Sequence, residues 1–373
     1  MIASKALLLY LLILQLSTTL VVSFVETGWS RSSTFPQHQT LPQQTSDVHE
    51  ESSSQVRVED DEAREQRNLR FAGVGRLFST PNQGDDGKIP PHMQVVDRLN
   101  QATVVVVGLG GVGSWAAEAL CRSGIGNMVL IDLDDVCISN TNRQLHAMTS
   151  TIGNFKIDEM AKRLRDINPN CNITLIHDFV SPDNVDDILT SIPNLTACLD
   201  AIDGTRGKTS LIAACARYQI PIVTCGGSAG RTDPCAFVCD DLTRVNGDPL
   251  LSNCRKMMRK YHGFAAGLPA HALKKTTADG KAIRPPKKWN IQAVVSTEPQ
   301  KGLPKGEEAS SLRRCDGALG TGVFVTGTSG FVAAGQIVSM IASNNLLIPR
   351  NFEGNLPRPS KKPTEQPIFA LEQ

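Results

Sequence analysis

Apolar positions in this chain fall into two kinds of block. The first kind is short and unbroken: Thr103-Val104-Val105-Val106-Val107, Met128-Val129-Leu130-Ile131, Ile173 to Ile176, Ala197 to Asp203 and Pro221 to Cys225. Such runs, bounded by Gly, Asp and Pro, predict strands buried on both faces. The second kind has helical spacing: Met93 to Asn100, Ser114 to Cys121, Lys156 to Ile167, Asp183 to Leu189 and Lys208 to Tyr218. Asn168-Pro169 closes the third of these, because the residue before a proline disfavours helix. Thr326 to Asn344 is apolar and glycine-rich and predicts a buried closing helix. Strands alternating with helices predict an α/β fold: a Rossmann-like, doubly wound, mainly parallel sheet with helices on both faces.

The first junction carries chemistry. Gly108-Leu109-Gly110-Gly111-Val112-Gly113 follows the first strand and opens a helix, and Asp132 ends the next strand. This is a nucleotide-binding fingerprint in its required setting. Gly108 permits the tight turn, Gly110 lets backbone approach a phosphate, and Gly113 lets the helix pack on the strand. The helix N-terminus offers unpaired N–H groups to an anion, and Asp132 would hold a ribose hydroxyl. NAD and FAD are the default ligands of such a motif. The next residues point elsewhere: Asp134, Asn140, Arg143 and Lys156 follow within one loop. A planar guanidinium and a point-charge ammonium suit a polyphosphate.

At these residues the chain resembles the adenylating superfamily that includes ubiquitin-activating enzymes and the activating enzymes of thiamine and molybdopterin synthesis. Ser139-Asn140, Arg143-Gln144 and Gly153 to Lys156 carry the likeness. Gly113 to Leu120, Ile131 to Cys137, Asn140 to His146 and Ile167-Asn-Pro169 are similar to the tRNA threonylcarbamoyladenosine dehydratases. The resemblance covers roughly Arg70 to Met340 and resumes at Val294 to Pro299 and Asp316 to Gly320. It implies a catalytic domain over 69–345 that uses ATP and Mg2+. Within it Asp203, the second acid of Asp200-Ala-Ile-Asp203, would bind the metal. Magnesium favours carboxylate and phosphate oxygens; the same Asp could instead cap the next helix. The expected site is thus Gly108, Gly110, Gly111, Gly113, Asp132, Asp134, Asn140, Arg143, Lys156 and Asp203. The resemblance further implies a homodimer in which an arginine near the start of the fold reaches the partner's ATP. Arg76 is the first choice, with Arg70 as runner-up.

The implied reaction is ATP-dependent dehydration of N6-threonylcarbamoyladenosine in tRNA, through an acyl-adenylate that cyclises. A sulfur-donor or activator protein could act alongside. Bacterial dehydratases often carry Cys at the position that aligns with Ala293, so a persulfide role there is disfavoured. Two other functions remain open. One is activation of a ubiquitin-like protein, for which Cys225 is the nearest transfer thiol. The other is a nicotinamide-dependent oxidoreductase.

Composition adds three things. A net charge of +1 gives no global attraction to nucleic acid, so any basic footprint is local. From Asp241 to Gly320 the chain holds fifteen Lys and Arg against seven Asp and Glu. Arg255 to Lys260, Lys274-Lys275, Arg284 to Lys288 and Arg313-Arg314 form a basic C-terminal insertion that either tracks tRNA phosphates or is a solvated loop. Ten cysteines show no paired C-x-x-C and read mostly as buried thiols of a reducing compartment.

The N-terminus reads as a leader. Residues 1–23 combine Lys5, an apolar run from Ala6 to Leu14 and a small-residue cut site, the form of a signal peptide. Residues 24–68 form a Ser-, Thr- and Gln-rich, then acidic, transit-like segment expected to be disordered. Together they predict plastid import. The alternative is an anchor over 6–25, for example on the mitochondrial outer membrane, with no stable membrane embedding of the catalytic domain. Residues 346–373 read as a tail.

Overall fold

The computed structural model describes residues 61–79, 90–265, 288–302 and 319–350. Outside them lie the expected leader, most of the transit-like segment and most of the tail. Lys274-Lys275, Arg284, Lys287 and Arg313-Arg314 also lie outside. The described residues fall in one unit, Val58–Gln373.

Seven strands form one sheet: β1 (Thr103–Val107), β2 (Asn127–Ile131), β3 (Asn172–Ile176), β4 (Leu195–Asp200), β5 (Ile222–Cys225), β6 (Phe237–Asp241) and β7 (Gln292–Ser296). Their order is β3-β2-β1-β4-β5-β7-β6. All neighbours are parallel except β6, which runs antiparallel to β7 at the edge. The mainly parallel sheet matches the expectation, and the reversed edge strand was not foreseen. Both β6 and β7 are five residues long. Runs that short become strands through pairing with distant partners, which local pattern does not reveal.

The helices are α1 (Asp61–Phe78), α2 (Pro91–Gln101), α3 (Gly113–Arg122), α4 (Lys156–Ile167), α5 (Val185–Ser191), α6 (Thr205–Arg217), α7 (Pro249–Tyr261) and α8 (Val323–Ala342). Alternate strand residues face opposite ways and build two cores. Val104, Val106, Met128 and Leu130 pack with residues of α2, α3, α4 and α8. Val105, Val107, Val129 and Ile131 pack with α5, α6 and α7. The helices after β1 and β4 therefore cover opposite faces, which leaves a crevice between those strand tips.

Two helices correct the boundaries expected from sequence. α1 begins at Asp61, inside the stretch expected to be disordered. Its polar surface hides an anchor: Arg67 is buried and donates to Asp97 of α2 at 2.8 Å. A Cβ at Gly75 would lie 2.3 Å from the His92 carbonyl oxygen, so the two helices meet backbone to backbone. α8 is long and apolar enough to cross a bilayer. It lies instead against α3, where a Cβ at Gly330 would come within 2.5 Å of the Val112 carbonyl oxygen.

The tightest contact is at Gly113, where a Cβ would lie 1.8 Å from the carbonyl oxygen of Gly108. Both partners are backbone, so neither can swing aside. Gly113→Ala should therefore cost about 3 kcal/mol of stability, read as a lowered denaturation midpoint with an unchanged slope.

Candidate active site

The tips of β1, β2, β4 and β5 surround a cleft of about 870 Å³. Its lining gathers Gly108, Gly110, Gly111, Asp132, Asp134, Asn140, Arg143, Lys156 and Asp203. These come from separate loops, brought together because parallel strands all end on one side of the sheet.

Gly108 has φ +87°, the left-handed region that favours glycine. A Cβ there would also sit 3.1 Å from the Ala201 carbonyl oxygen, so β4 limits this turn. Gly110 differs, with no described atom within 4 Å of a built Cβ. That open space lies at the start of α3, where helix N–H groups lack internal partners.

Asp132 is buried and fixed from both sides. Its Oδ2 accepts from the Leu109 N–H at 2.5 Å and its Oδ1 from the Asp134 N–H at 2.8 Å. Burial raises its carboxyl above the usual range, against the opposing pull of these two N–H groups. Asp134 is exposed and pairs with the buried Lys156, Nζ to Oδ2 at 2.6 Å. The Lys156 backbone N–H also donates to the Asp134 carbonyl at 3.0 Å. The lysine is thereby held at the start of α4 and at the cleft wall. Asn140 is buried and accepts the Cys137 N–H at 3.1 Å, which folds the loop. Arg143 is held through the Ser139 carbonyl at 2.8 Å and Asn142 Oδ1 at 2.9 Å. Trp115 Nε1 donates to the Arg143 carbonyl at 3.0 Å, tying this loop to α3.

The far wall is the loop Gly226 to Ala229, reached from β5. Asp248 builds it. Its Oδ2 accepts the Gly227 N–H at 2.9 Å and its Oδ1 caps α7 through Leu251 N–H at 2.8 Å. Buried Arg231 meets the same Oδ2 at 3.3 Å and donates to the Gly227 carbonyl at 3.1 Å. This loop is therefore braced from behind by an ion pair.

The ThiF family model matches residues 79–358. The chain belongs to the ThiF family. Among its relatives is the tRNA threonylcarbamoyladenosine dehydratase of Haemophilus influenzae, 38% identical over 73% of this chain and 93% of that protein. The Escherichia coli protein of the same name is 37% identical over 71% of this chain and 90% of its own. A crystal structure of the E. coli dehydratase in complex with ATP has a TM-score of 0.59 at 35% identity, covering 77% of this chain and 98% of that one.

Of the residues expected at this ThiF-family site, Gly113 does not line the cleft; Arg76, expected at the partner's site, does not line this one either. Gly113 acts in packing, as its contact with Gly108 shows. Arg76 is exposed on the last turn of α1, and the runner-up Arg70 donates to the Ile167 carbonyl at 3.3 Å. Sequence reasoning also missed Arg231, Asp248 and Lys208. Asp248-Pro249 was readable as a cap followed by a first-turn proline. Nothing in the local pattern marked the other two, which meet their carboxylates only once separate elements come together.

The local rules also missed His146. It is buried, and neither ring nitrogen has a partner among the described residues. Burial, reinforced by the charge of Lys156, pushes its pKa down to about 4. The unfolded chain takes up this proton near pH 6.5 and the folded chain does not. Stability from this group is thus intact above that pH and is lost as pH falls towards 4.

Two measurements follow from this geometry. Between pH 6.5 and 4, wild type should lose roughly 3 kcal/mol more unfolding free energy than His146→Phe, read by denaturant titration at each pH. Gly110→Ala should change stability by no more than about 0.5 kcal/mol, yet weaken ATP binding at least about tenfold by filling space beside the α3 N-terminus, read by calorimetry.

Proposed function

We propose that this chain is an ATP-dependent tRNA threonylcarbamoyladenosine dehydratase. One observation carries this: the glycine turn, Arg143, Lys156 and Asp203 line a single cleft in a chain 35–38% identical to proteins of that name. The side chain of the modified adenosine ends in a carboxylate. Its oxygen attacks the α-phosphorus of ATP, the α–β P–O bond breaks and pyrophosphate leaves. A nitrogen of the same side chain then attacks the acyl carbon, the C–O bond to AMP breaks and one proton is released. The modified base has lost the elements of water.

Each residue has a role in that scheme. The α3 N-terminus and Gly110 accept the phosphates. Arg143 and Lys156 offset charge as pyrophosphate departs. Asp132 shapes the loop and, with Asp134, faces the ribose. Among the described residues, no three His, Cys, Asp or Glu side chains gather as a metal cluster. Magnesium carried with ATP needs only one or two carboxylates, with phosphate and water supplying the rest. The exposed Asp203 fits that need; the ion would neutralise phosphate charge when bound. Arg76 would contribute only from a second subunit, in a homodimer. The N-terminal leader supports plastid import.

Activation of a ubiquitin-like protein through Cys225 is disfavoured. That thiol is buried and its pKa is pushed up to about 12 by burial, whereas a transfer cysteine needs ready access to thiolate.

tRNA would approach over the exposed lysines of α7. Only part of that helix's charge is available. Arg255 donates to the Leu242 carbonyl at 3.3 Å and Arg259 lies 5.6 Å over the Trp289 ring. Burial lowers the pKa of both. Lys256 and Lys260 remain exposed.

Pyrophosphate release should require ATP and tRNA bearing the threonylcarbamoyl group. Lys156→Ala should reduce it at least about a hundredfold, with a native circular dichroism spectrum. Tight NAD binding with no thermal shift from ATP would refute the proposal. Lys256→Glu with Lys260→Glu should weaken tRNA binding and flatten its salt dependence while sparing ATP affinity.

A further inference from the structure

Beneath the cleft lies an ion pair that the scheme above leaves without a role. Asp200 ends β4 and Lys208 lies on α6. Both side chains are fully buried, with Nζ 2.8 Å from Oδ2. Thr224 of β5 joins them: its hydroxyl donates to Asp200 Oδ2 at 2.6 Å and accepts from Lys208 Nζ at 3.2 Å. Lys208 also reaches the Asp200 carbonyl at 3.5 Å. Burying two charges costs several kcal/mol per ion, and apolar replacements of such pairs are often neutral or stabilising. Stability alone therefore does not account for the pair.

Its geometry supplies another account. Asp200 Oδ1 accepts the Ile202 N–H at 3.0 Å, closing a tight turn over Ala201. Asp203 follows that turn directly and lines the cleft. The Ala201 N–H donates to the Val107 carbonyl at 2.9 Å, and the Ala201 carbonyl limits Gly108. One carboxylate thus sets the turn that leads into Asp203, and that turn abuts the glycine loop. Lys208 and Thr224 hold the carboxylate in one rotamer, leaving its second oxygen for Ile202.

We propose that Lys208 and Asp200 are positioning residues that fix the separation between Asp203 and the phosphate-binding glycine loop. This rests on Asp203 being the residue that meets the magnesium of ATP. Neither member of the pair touches the nucleotide. Their effect passes through the Ile202 N–H and appears in how well magnesium strengthens nucleotide binding.

The test is calorimetric and needs no turnover. The probe is an ATP analogue with a methylene bridge between the α- and β-phosphorus atoms, titrated with magnesium and with EDTA. In Asp200→Leu/Lys208→Met the ion pair and the Ile202 acceptor are removed together, so no unpaired charge remains buried. This variant should lose at least about tenfold of the magnesium-dependent gain in affinity, with EDTA affinity within about twofold of wild type. Asp203→Asn should lose a similar amount. Combining all three substitutions should add nothing further, since residues acting through one another are not additive. If the double variant does not fold, Thr224→Val, which keeps the ion pair, should give a partial loss of about threefold. Retained magnesium enhancement in the double variant, or additive losses in the combination, overturns the positioning role. Retained enhancement in Asp203→Asn overturns the assignment of Asp203 itself, and the two failures are distinct.

Discussion

The site depends on backbone meeting backbone. α3 can start directly over the tip of β1 only because residue 113 has no side chain to strike the Gly108 carbonyl. From that contact the remaining placements follow. The turn between the two glycines is pressed against Ala201, just past the end of β4, on one side. On the other it is clasped by Asp132 from the end of β2 through the Leu109 N–H. Three adjacent strands thereby hold one short loop, and the start of α3 opens into the crevice they leave. Preorganised N–H groups of this kind stabilise charge without reorganising during the reaction.

Charge around the crevice is arranged in layers. Lys156 at the wall is paired with a carboxylate that remains half in solvent. Behind the two ends of the crevice sit Arg231 with Asp248 and Lys208 with Asp200, both almost wholly buried. The outer pair can exchange partners when a polyanion arrives, because its carboxylate keeps access to water. The inner pairs cannot, since separating them would leave a charge in a low-dielectric interior. The crevice thus combines a responsive cation with rigid walls.

Most of the fold was legible in the sequence, and the reasons are local. Valine runs at β1, the glycines after it and the amphipathic stretch of α4 each declare themselves within a dozen residues. Nearly every expected nucleotide contact reached the cleft because the fingerprint encodes a supersecondary unit and not single residues. What escaped notice was long-range. Arg67 looked like part of an acidic tail until Asp97 supplied its partner. β6 exists only through its ladder with β7, some fifty residues on. Lys208 stands in the helical run Thr205 to Arg217 like any amphipathic lysine, and only the approach of β4 and β5 turns it inward. Arg259 read as a surface charge, whereas Trp289 draws it onto a ring.

The reversed edge strand decides which described residues stand beside the cleft and which stand far from it. Because β6 runs back down the sheet, Asp241 ends beside Gln292, at the edge away from the cleft. α7 descends to the same edge, where Phe264 meets Trp289. Phe264 and Trp289 therefore lie a strand's length, about 17 Å, from the crevice. Lys301 and Gly320 lie elsewhere. Lys301 and Gly320 both bond to Gly230, on the loop that forms the crevice wall. Gly230, Lys301 and Gly320 thus stand at the mouth of the crevice, whereas Phe264 and Trp289 stand at its opposite pole. Chain added after Lys301 or before Gly320 starts beside the crevice; chain added after Phe264 or before Trp289 starts at a distant edge.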